Sequence, residues 1–524
     1  MVVCLPFWWA KRGGGVQPES EQTDCPDRPD IQRQHRSRDP EGRAAAWVAA
    51  PYRCTEALRP RPIQYRPGTV WSLPMLLCLL AGLLGTLPLV ILTPPFQVPD
   101  EAQHFERAYQ ISEGGLRAEV RDGVAGARLP ASLPALVRKC LGTDAILAVR
   151  RVAPAPLTRS AALRAIPLDP KKQQFVDFTG AAVYPPLAYL PQAAGIAIGR
   201  AFGAGPLVLL YLARAANALA AVALLALAIG LLPAGKGPAL LTGLLPMALY
   251  EYASVSPDAL VISASFLLTA LGLQALKRGT WQGGEVAGAA LAGLLVCATK
   301  PVYAPLLLIA APALLSPERR WHHARALAVI LGVALGGTLL WFTWNTGRVI
   351  TFEPDADLHA QLMFVLTHPG AAARALETSV QHWGWYYLLS MIGIFGWLTV
   401  VMPGYVYILA AAALIVASLI GQRAESRLAP IEVAWCALLL AGALSLTFLA
   451  MYLDATPVGA RVVLGVQGRY FLPLLGLAAA VVGSLPVWRL GERRAPVMLT
   501  VLAGVALLEA AVAMHSIISA FKVV

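Results

Sequence analysis

The sequence predicts an all-α, polytopic membrane protein, on three observations. Charged residues make up 14% of the 524, where soluble domains carry about 25%. Hydrophobic residues make up 57%, and the mean hydropathy is +0.60. Apolar runs near the roughly 20 residues that a bilayer requires recur from Trp71 to the C-terminus. A soluble enzyme, a disulfide-stapled secreted domain and a fibrous chain are thereby excluded. The seven cysteines show no CxxC spacing, so neither a zinc site nor a disulfide framework is indicated. The net charge of +12 lies mostly in the N-terminal region and in short loops between apolar runs. That distribution fits cytoplasmic anchoring beside a lipid bilayer. No basic-and-aromatic groove pattern is present, so nucleic acid is not an expected partner.

Residues 1–70 hold 11 basic and 8 acidic residues with repeated Pro, Gln and Ser, a composition that predicts a disordered cytoplasmic tail. The membrane domain then runs over 71–524. Its first span is 71–93, and the Arg-rich tail before it places the N-terminus inside. Residues 94–183 form a large polar outer loop with interfacial helices, carrying 9 of the 30 acidic residues. Apolar segments follow at about 184–203, 207–231, 238–254, 259–276, 286–300, 302–316 and 324–344. After a second outer loop (345–382) come 383–400, 404–420, 431–452, 470–487 and 496–518. Crossing with all of them would put Lys236, Lys277, Arg278, Arg319 and Arg320 outside. Laying 184–203 along the outer surface and half-inserting 383–400 from the outer leaflet brings these and the later basic loops inside. Tyr184-Pro185-Pro186 and Pro191 interrupt the first of the two, which supports that choice. The expectation is therefore eleven crossings in the cytoplasmic (inner) membrane with the C-terminus outside.

The chemistry-bearing residues cluster where the first span ends. Pro94-Pro95 stop the helix, and Pro99-Asp100-Glu101-Ala102-Gln103-His104-Phe105 opens a helix-like run. An Asp in that position can simply cap the helix. Two carboxylates within a few residues of the outer surface can instead meet the head group of a lipid-borne substrate. Asp258 follows Pro257 at the next outer turn, where it can cap a helix or serve the site. Lys300 and Arg469 are the cations suited to a phosphate. Arg469 can grip one with paired hydrogen bonds, and Lys300 sits at a tight turn where a charge is costly unless partnered. Glu251 and Glu509 lie inside apolar spans and read as interhelical hydrogen-bonding groups. A short acidic run, Glu353, Asp355 and Asp357, reads as solvated.

The Asp-Glu-x-x-His-Phe stretch resembles the first outer loop of the GT-C superfamily, membrane glycosyltransferases that use polyprenyl-phosphate-linked sugars. More closely, the chain is similar to DUF family 2142, predicted bacterial membrane proteins related to GT-C. The matching patterns are Tyr184-Pro185-Pro186-Leu187, Ser254-Val255-Ser256-Pro257-Asp258-Ala259-Leu260, Lys300-Pro301-Val302-Tyr303, Phe395-Gly396-Trp397-Leu398 and Gln467-Gly468-Arg469-Tyr470-Phe471-Leu472-Pro473. They run from about residue 71 to 490. Where relatives often carry Asp after Gly-Trp-Leu, this chain has Thr399, which removes a carboxylate from that position.

The resemblance implies transfer of a sugar from a polyprenyl-phosphate donor to a glycan, lipid or protein acceptor on the outer face, for cell-envelope synthesis. Asp100 is the implied base, with Glu101 as its neighbour or understudy. His104, Tyr184, Asp258, Lys300, Gln467, Arg469 and Tyr470 are the implied substrate-binding residues. Asp100 and Asp258 are the implied ligands of a divalent metal (Mg or Mn), should the enzyme use one. The alternatives are a transporter or flippase of a lipid-linked glycan, and a non-catalytic scaffold in envelope assembly.

Overall fold

The computed structural model describes residues 72–141, 160–346, 357–419, 427–485 and 494–521. The expected tail, Glu353, Asp355 and the basic residues Arg423, Arg489 and Arg493 lie outside these stretches. The fold is the all-α membrane architecture that the composition implies, with one addition in the loop after the first span.

Helix α1 (Leu73–Leu92) has 20 residues and no charge, about 30 Å at 1.5 Å per residue, which matches the hydrocarbon core of a bilayer. Next come α2 (Glu101–Ser112), β1 (Glu119–Arg121), β2 (Val124–Pro130), α3 (Ser132–Leu141) and β3 (Gln173–Asp177). The strands form an antiparallel sheet in the order β1-β2-β3, with Arg121 opposite Val124 and Ala127 opposite Val176. Small residues weaken the alternating pattern of β2, which is why a sheet was not expected there. Phe105, Tyr109, Leu129, Leu133 and Phe178 of this loop share an apolar core with Ile196, Leu209 and Leu210 further along the chain.

Helix α4 (Leu190–Ala201) follows a 3-10 turn over Pro186–Tyr189. Its 12 residues reach about 18 Å, too short to span, in keeping with an interfacial position. Then α5 (Pro206–Leu231) packs against α1, α4 and α8 (Asp258–Arg278), the last being buried along nearly its whole length. Between them the expected span 238–254 is broken into α6 (Lys236–Gly243) and α7 (Pro246–Tyr252). Pro246 has no N–H to continue a helix, so it starts a new one. Helix α9 (Gly283–Thr299) leads to Lys300 and then to 3-10 helix over Pro301–Leu308 and Ala311–Leu315, where Pro301, Pro305 and Pro312 prevent the expected α-helical span.

The second half contains α10 (Arg320–Trp344), α11 (Leu358–Thr367) and α12 (Pro369–Gly393). Helix α12 starts inside what the sequence reads as the second loop and stops at 393, so the expected half-inserted segment 383–400 is its last part plus a β-hairpin. That hairpin pairs β4 (Ile394–Phe395) with β5 (Val400–Val401). Helix α13 (Gly404–Leu419) and helix α14 (Pro430–Asp454) follow. The expected span 470–487 is a 3-10 turn, Gly468–Leu474, with Pro473 inside it, and the short α15 (Leu475–Val482). Helix α16 (Ala495–Phe521) packs on α1.

Among the described residues six helices, α1, α5, α8, α10, α14 and α16, are long and apolar enough to cross a membrane. They coincide with six of the eleven expected crossings. The other five fall on short or broken helices, and these bring polar residues together.

Candidate active site

The two adjacent carboxylates part company at the backbone. Asp100 takes a left-handed conformation, φ 63°, which Asp tolerates better than most side chains. This turns the two side chains to different surroundings. Glu101 goes inward, where Arg214 of α5 donates from Nε to Oε1 at 2.7 Å and from Nη2 to Oε2 at 2.5 Å. The backbone N–H groups of Phe96 and Val255 donate to the same carboxylate at 3.1 and 3.2 Å. Arg214 also donates to the carbonyls of Val90, Thr93 and Pro94, which the end of α1 leaves without helical partners. Both side chains are 0% exposed. A carboxylate so saturated is an anchor between α1, α5 and the 254–256 turn. Its burial withdraws Glu101 from the proton-transfer role expected of it beside Asp100.

Asp100 stands at the N-cap position, just before α2, yet its side chain makes no capping hydrogen bond. It is 54% exposed, and its Oδ2 lies 3.8 Å from Nη2 of Arg469. The helix-cap explanation for this residue is therefore removed.

Arg469 reaches this point from the 3-10 turn 468–474. A Cβ on Gly468 would fall 2.1 Å from the carbonyl oxygen of Tyr387 and 2.2 Å from the nitrogen of Met391, so only glycine lets the turn lie against α12. The Gly468 N–H donates to Ser390 Oγ at 3.0 Å. Arg469 Nη1 donates to Oε1 of Glu251 at 3.3 Å, while its Nε is buried without a hydrogen-bond partner among the described residues. Glu251, expected to hydrogen bond between helices, is thus a buried ion-pair partner. Glu509 on α16 is buried, and among the described residues its Oε1 has no hydrogen-bond partner.

Lys300 Nζ lies 2.6 Å from Oδ1 of Asp258, so Asp258 too serves a cation and caps no helix. The Tyr470 ring sits beneath both cations, 5.0 Å from Lys300 Nζ and 5.5 Å from the Arg469 guanidinium carbon. Tyr303 donates to the Tyr470 carbonyl at 2.6 Å and fixes that ring's backbone. Gln467, next in the motif, has a buried Oε1 without a partner among the described residues.

His104, one turn into α2, shares a 2.7 Å hydrogen bond with the Tyr189 hydroxyl, and its ring centre lies 5.7 Å from that of Tyr184. Burial pushes the His104 pKa down to about 4, with the fields of Asp100 and Asp258 opposing and those of Arg469 and Lys300 assisting. The imidazole is neutral near pH 7. Burial likewise pushes the Tyr184 phenol up to about 12, against the pull of Lys300. Asp100, His104, Tyr184, Asp258, Lys300, Arg469 and Tyr470 therefore gather in one region.

The hairpin 394–401 holds the loop that carries Asp100. Trp397 Nε1 donates to the Phe96 carbonyl at 3.3 Å. Tyr250 accepts from the Gly396 N–H at 3.1 Å and donates to the Gln97 carbonyl at 3.0 Å. Gly396, at φ 61°, supplies a left-handed turn that a side chain would strain.

A divalent ion is poorly served here. The ammonium of Lys300 stands against the Asp258 oxygen that a metal would use. Among the described residues no three His, Cys, Asp or Glu side chains gather as a ligand set. The residues present do not fit the expected Asp100–Asp258 metal site. Asp357, from the acidic run, caps α11 through the Ala360 N–H at 2.9 Å.

The sequence reading missed Arg214, Tyr189 and Tyr250, and it did not place Glu251 in the site. Arg214 and Glu251 had a signal, because each is an ionisable residue inside an apolar run. Tyr189 and Tyr250 had none.

A bundle of apolar helices, six of spanning length, broken at a buried cluster of acids and bases, defines a multi-pass integral membrane protein with the lipid bilayer as its partner. The chain belongs to the family described as "Predicted membrane protein (DUF2142)", whose model matches residues 83–478. Comparison with the curated proteins and with the solved structures gave no match. Family membership carries no activity with it.

Proposed function

We propose that the protein is a membrane glycosyltransferase that moves a sugar from a polyprenyl-phosphate donor to an acceptor hydroxyl. The reaction takes place at the outer face of the cytoplasmic membrane, with the N-terminus inside and the C-terminus outside. The observation that carries this is the imbalance of the charge cluster. Three carboxylates face two cations: Glu251 holds Arg469, Asp258 holds Lys300, and Asp100 is left exposed at 3.8 Å from its nearest cation. A carboxylate that caps no helix and is only loosely paired is free to take a proton.

In the proposed reaction the acceptor oxygen attacks the anomeric carbon and gives its proton to Asp100. The bond from that carbon to the phosphate oxygen breaks, and polyprenyl phosphate leaves. Arg469, with Nε still free to donate, and Lys300 bear the charge that develops on the phosphate. Tyr470 keeps the two cations together from below. Neutral His104 and Tyr184 border the same space and offer hydrogen bonds to sugar hydroxyls.

Labelled polyprenyl-phosphate sugars, supplied as a panel to the purified protein, test this reading. Release of polyprenyl phosphate that depends on Asp100 supports it, and no turnover with any donor and acceptor counts against it.

One observation favours a second reading, a flippase for a lipid-linked glycan. Transporters place ionisable residues at interrupted helices, and Glu251, Lys300 and Arg469 all lie at such interruptions. Movement of a fluorescent lipid-linked glycan across proteoliposomes, without glycosyl transfer, would establish that reading instead.

A further inference from the structure

A groove of about 650 Å³ runs between α12 and α14, both of which rest on the 468–474 turn. Its floor is aromatic: the rings of Tyr387, Phe448 and Phe471 lie 5.6 to 6.1 Å apart, edge to face or stacked. Gly384 and Ser445 keep its middle open, and Trp385 and Leu388 stand at its exposed edge. From Leu376 to Leu388 the wall on α12 extends about 18 Å at 1.5 Å per residue. The groove is walled almost wholly by carbon, and its side chains include no Lys, Arg, Asp or Glu.

Its floor shares a turn with the charge cluster. Phe471 belongs to the turn that two residues earlier presents Arg469, with its unspent Nε donor. Tyr386, beside Tyr387 on α12, lies within the field of Arg469. An apolar groove floored by Phe471, beside the turn that carries a buried guanidinium, complements an amphiphile with one long chain and an anionic head. A free sugar phosphate has no use for the channel, and a two-chain phospholipid does not match a single slot between two helices.

We propose that this groove holds the isoprenoid chain of the lipid phosphate whose head group Arg469 binds. The inference rests on the phosphate-binding reading of Arg469 and extends it to the substrate's tail. Flat isoprene units lie well on the Tyr387, Phe448 and Phe471 rings, and the exposed edge lets a chain enter sideways from the bilayer.

The test measures binding of labelled undecaprenyl phosphate and of short-chain citronellyl phosphate to the full-length protein in nanodiscs. Gly384→Trp fills the groove, and room exists for it, since a Cβ there meets only Val380 Cγ1 at 4.0 Å. Ser445→Trp fills it from the other wall. Losing even about two buried methylene groups weakens binding about tenfold. Both variants are therefore expected to bind the long lipid at least about tenfold more weakly and the short one unchanged. Arg469→Ala is expected to weaken both lipids. As a readout independent of variant folding, a photoreactive isoprenoid phosphate should crosslink to peptides of α12 and α14 in the wild-type protein.

If the filled groove leaves long-chain binding intact while Arg469→Ala abolishes it, the groove assignment is overturned and the head-group site stands. If no variant changes binding of either lipid, both are overturned. Equal competition by phosphatidylglycerol would make the groove a site for ordinary bilayer lipid, which also overturns the proposal.

Discussion

Replacing Glu101 with Gln separates the two neighbouring carboxylates by their effect on stability. The wild-type carboxylate neutralises Arg214, and both side chains are 0% exposed. Gln keeps the shape and can still accept one hydrogen bond, but it leaves a guanidinium buried without a counter-charge. Removing one partner of a buried pair costs about 3–5 kcal/mol. Arg214 retains three backbone carbonyls, which places the expected loss at the lower end, about 3 kcal/mol. Asp100→Asn breaks a contact of 3.8 Å at a half-exposed side chain, which is worth at most about 1 kcal/mol. Thermal unfolding of the purified protein in detergent, followed by tryptophan fluorescence, should show a clear drop in Tm for Glu101→Gln and almost none for Asp100→Asn. The double variant Glu101→Gln/Arg214→Met should recover part of the loss, because it leaves no buried charge alone. An unchanged Tm in Glu101→Gln would refute the anchoring role.

Other outcomes follow from the same geometry. Gly468→Ala should distort the turn that carries Arg469, since its Cβ meets fixed backbone at 2.1 Å, and should lower both stability and lipid-phosphate binding, read by Tm and by titration. Lys300→Met should leave Asp258 buried beside no cation of its own and destabilise the protein, while Lys300→Arg restores most of the Tm. His104 is held neutral, with a folded pKa of about 4 against 6.5 when unfolded, so its contribution is complete above about pH 6.5. That contribution falls as the pH drops from there to about 4, for a total near 3 kcal/mol. His104→Gln should flatten that part of a Tm-against-pH curve, and an identical curve would contradict the assignment.

Much of this architecture could be read from the residues, and the failures have physical causes. Spans without Pro or Gly-Pro breaks, such as 207–231 and 259–276, were legible because apolar length alone decides them. The segments 238–254, 302–316 and 470–487 have the same apolar composition but contain Pro246, Pro305 and Pro473, and composition averages such breaks away. The sheet in the loop after the first span is held by register with a strand nearly 50 residues distant, which no local pattern encodes. Asp258, Lys300 and Arg469 were legible because a charge beside an apolar span needs a reason. Which acid each cation would hold depended on packing, so the pairing of Arg469 with Glu251 was not. The division between Asp100 and Glu101 hung on one left-handed residue. Two adjacent carboxylates look equivalent until the backbone turns one of them into the core.

The most direct test of the glycosyl-transfer reading uses wild-type protein and Asp100→Asn, reconstituted side by side with a labelled polyprenyl-phosphate sugar that the wild type accepts. Loss of a general base lowers turnover by about 100- to 10,000-fold. The expected result is a fall of that size in release of polyprenyl phosphate, with Tm and donor binding unchanged. Wild-type turnover in Asp100→Asn would contradict the account and leave the flippase as the better reading of the charge cluster.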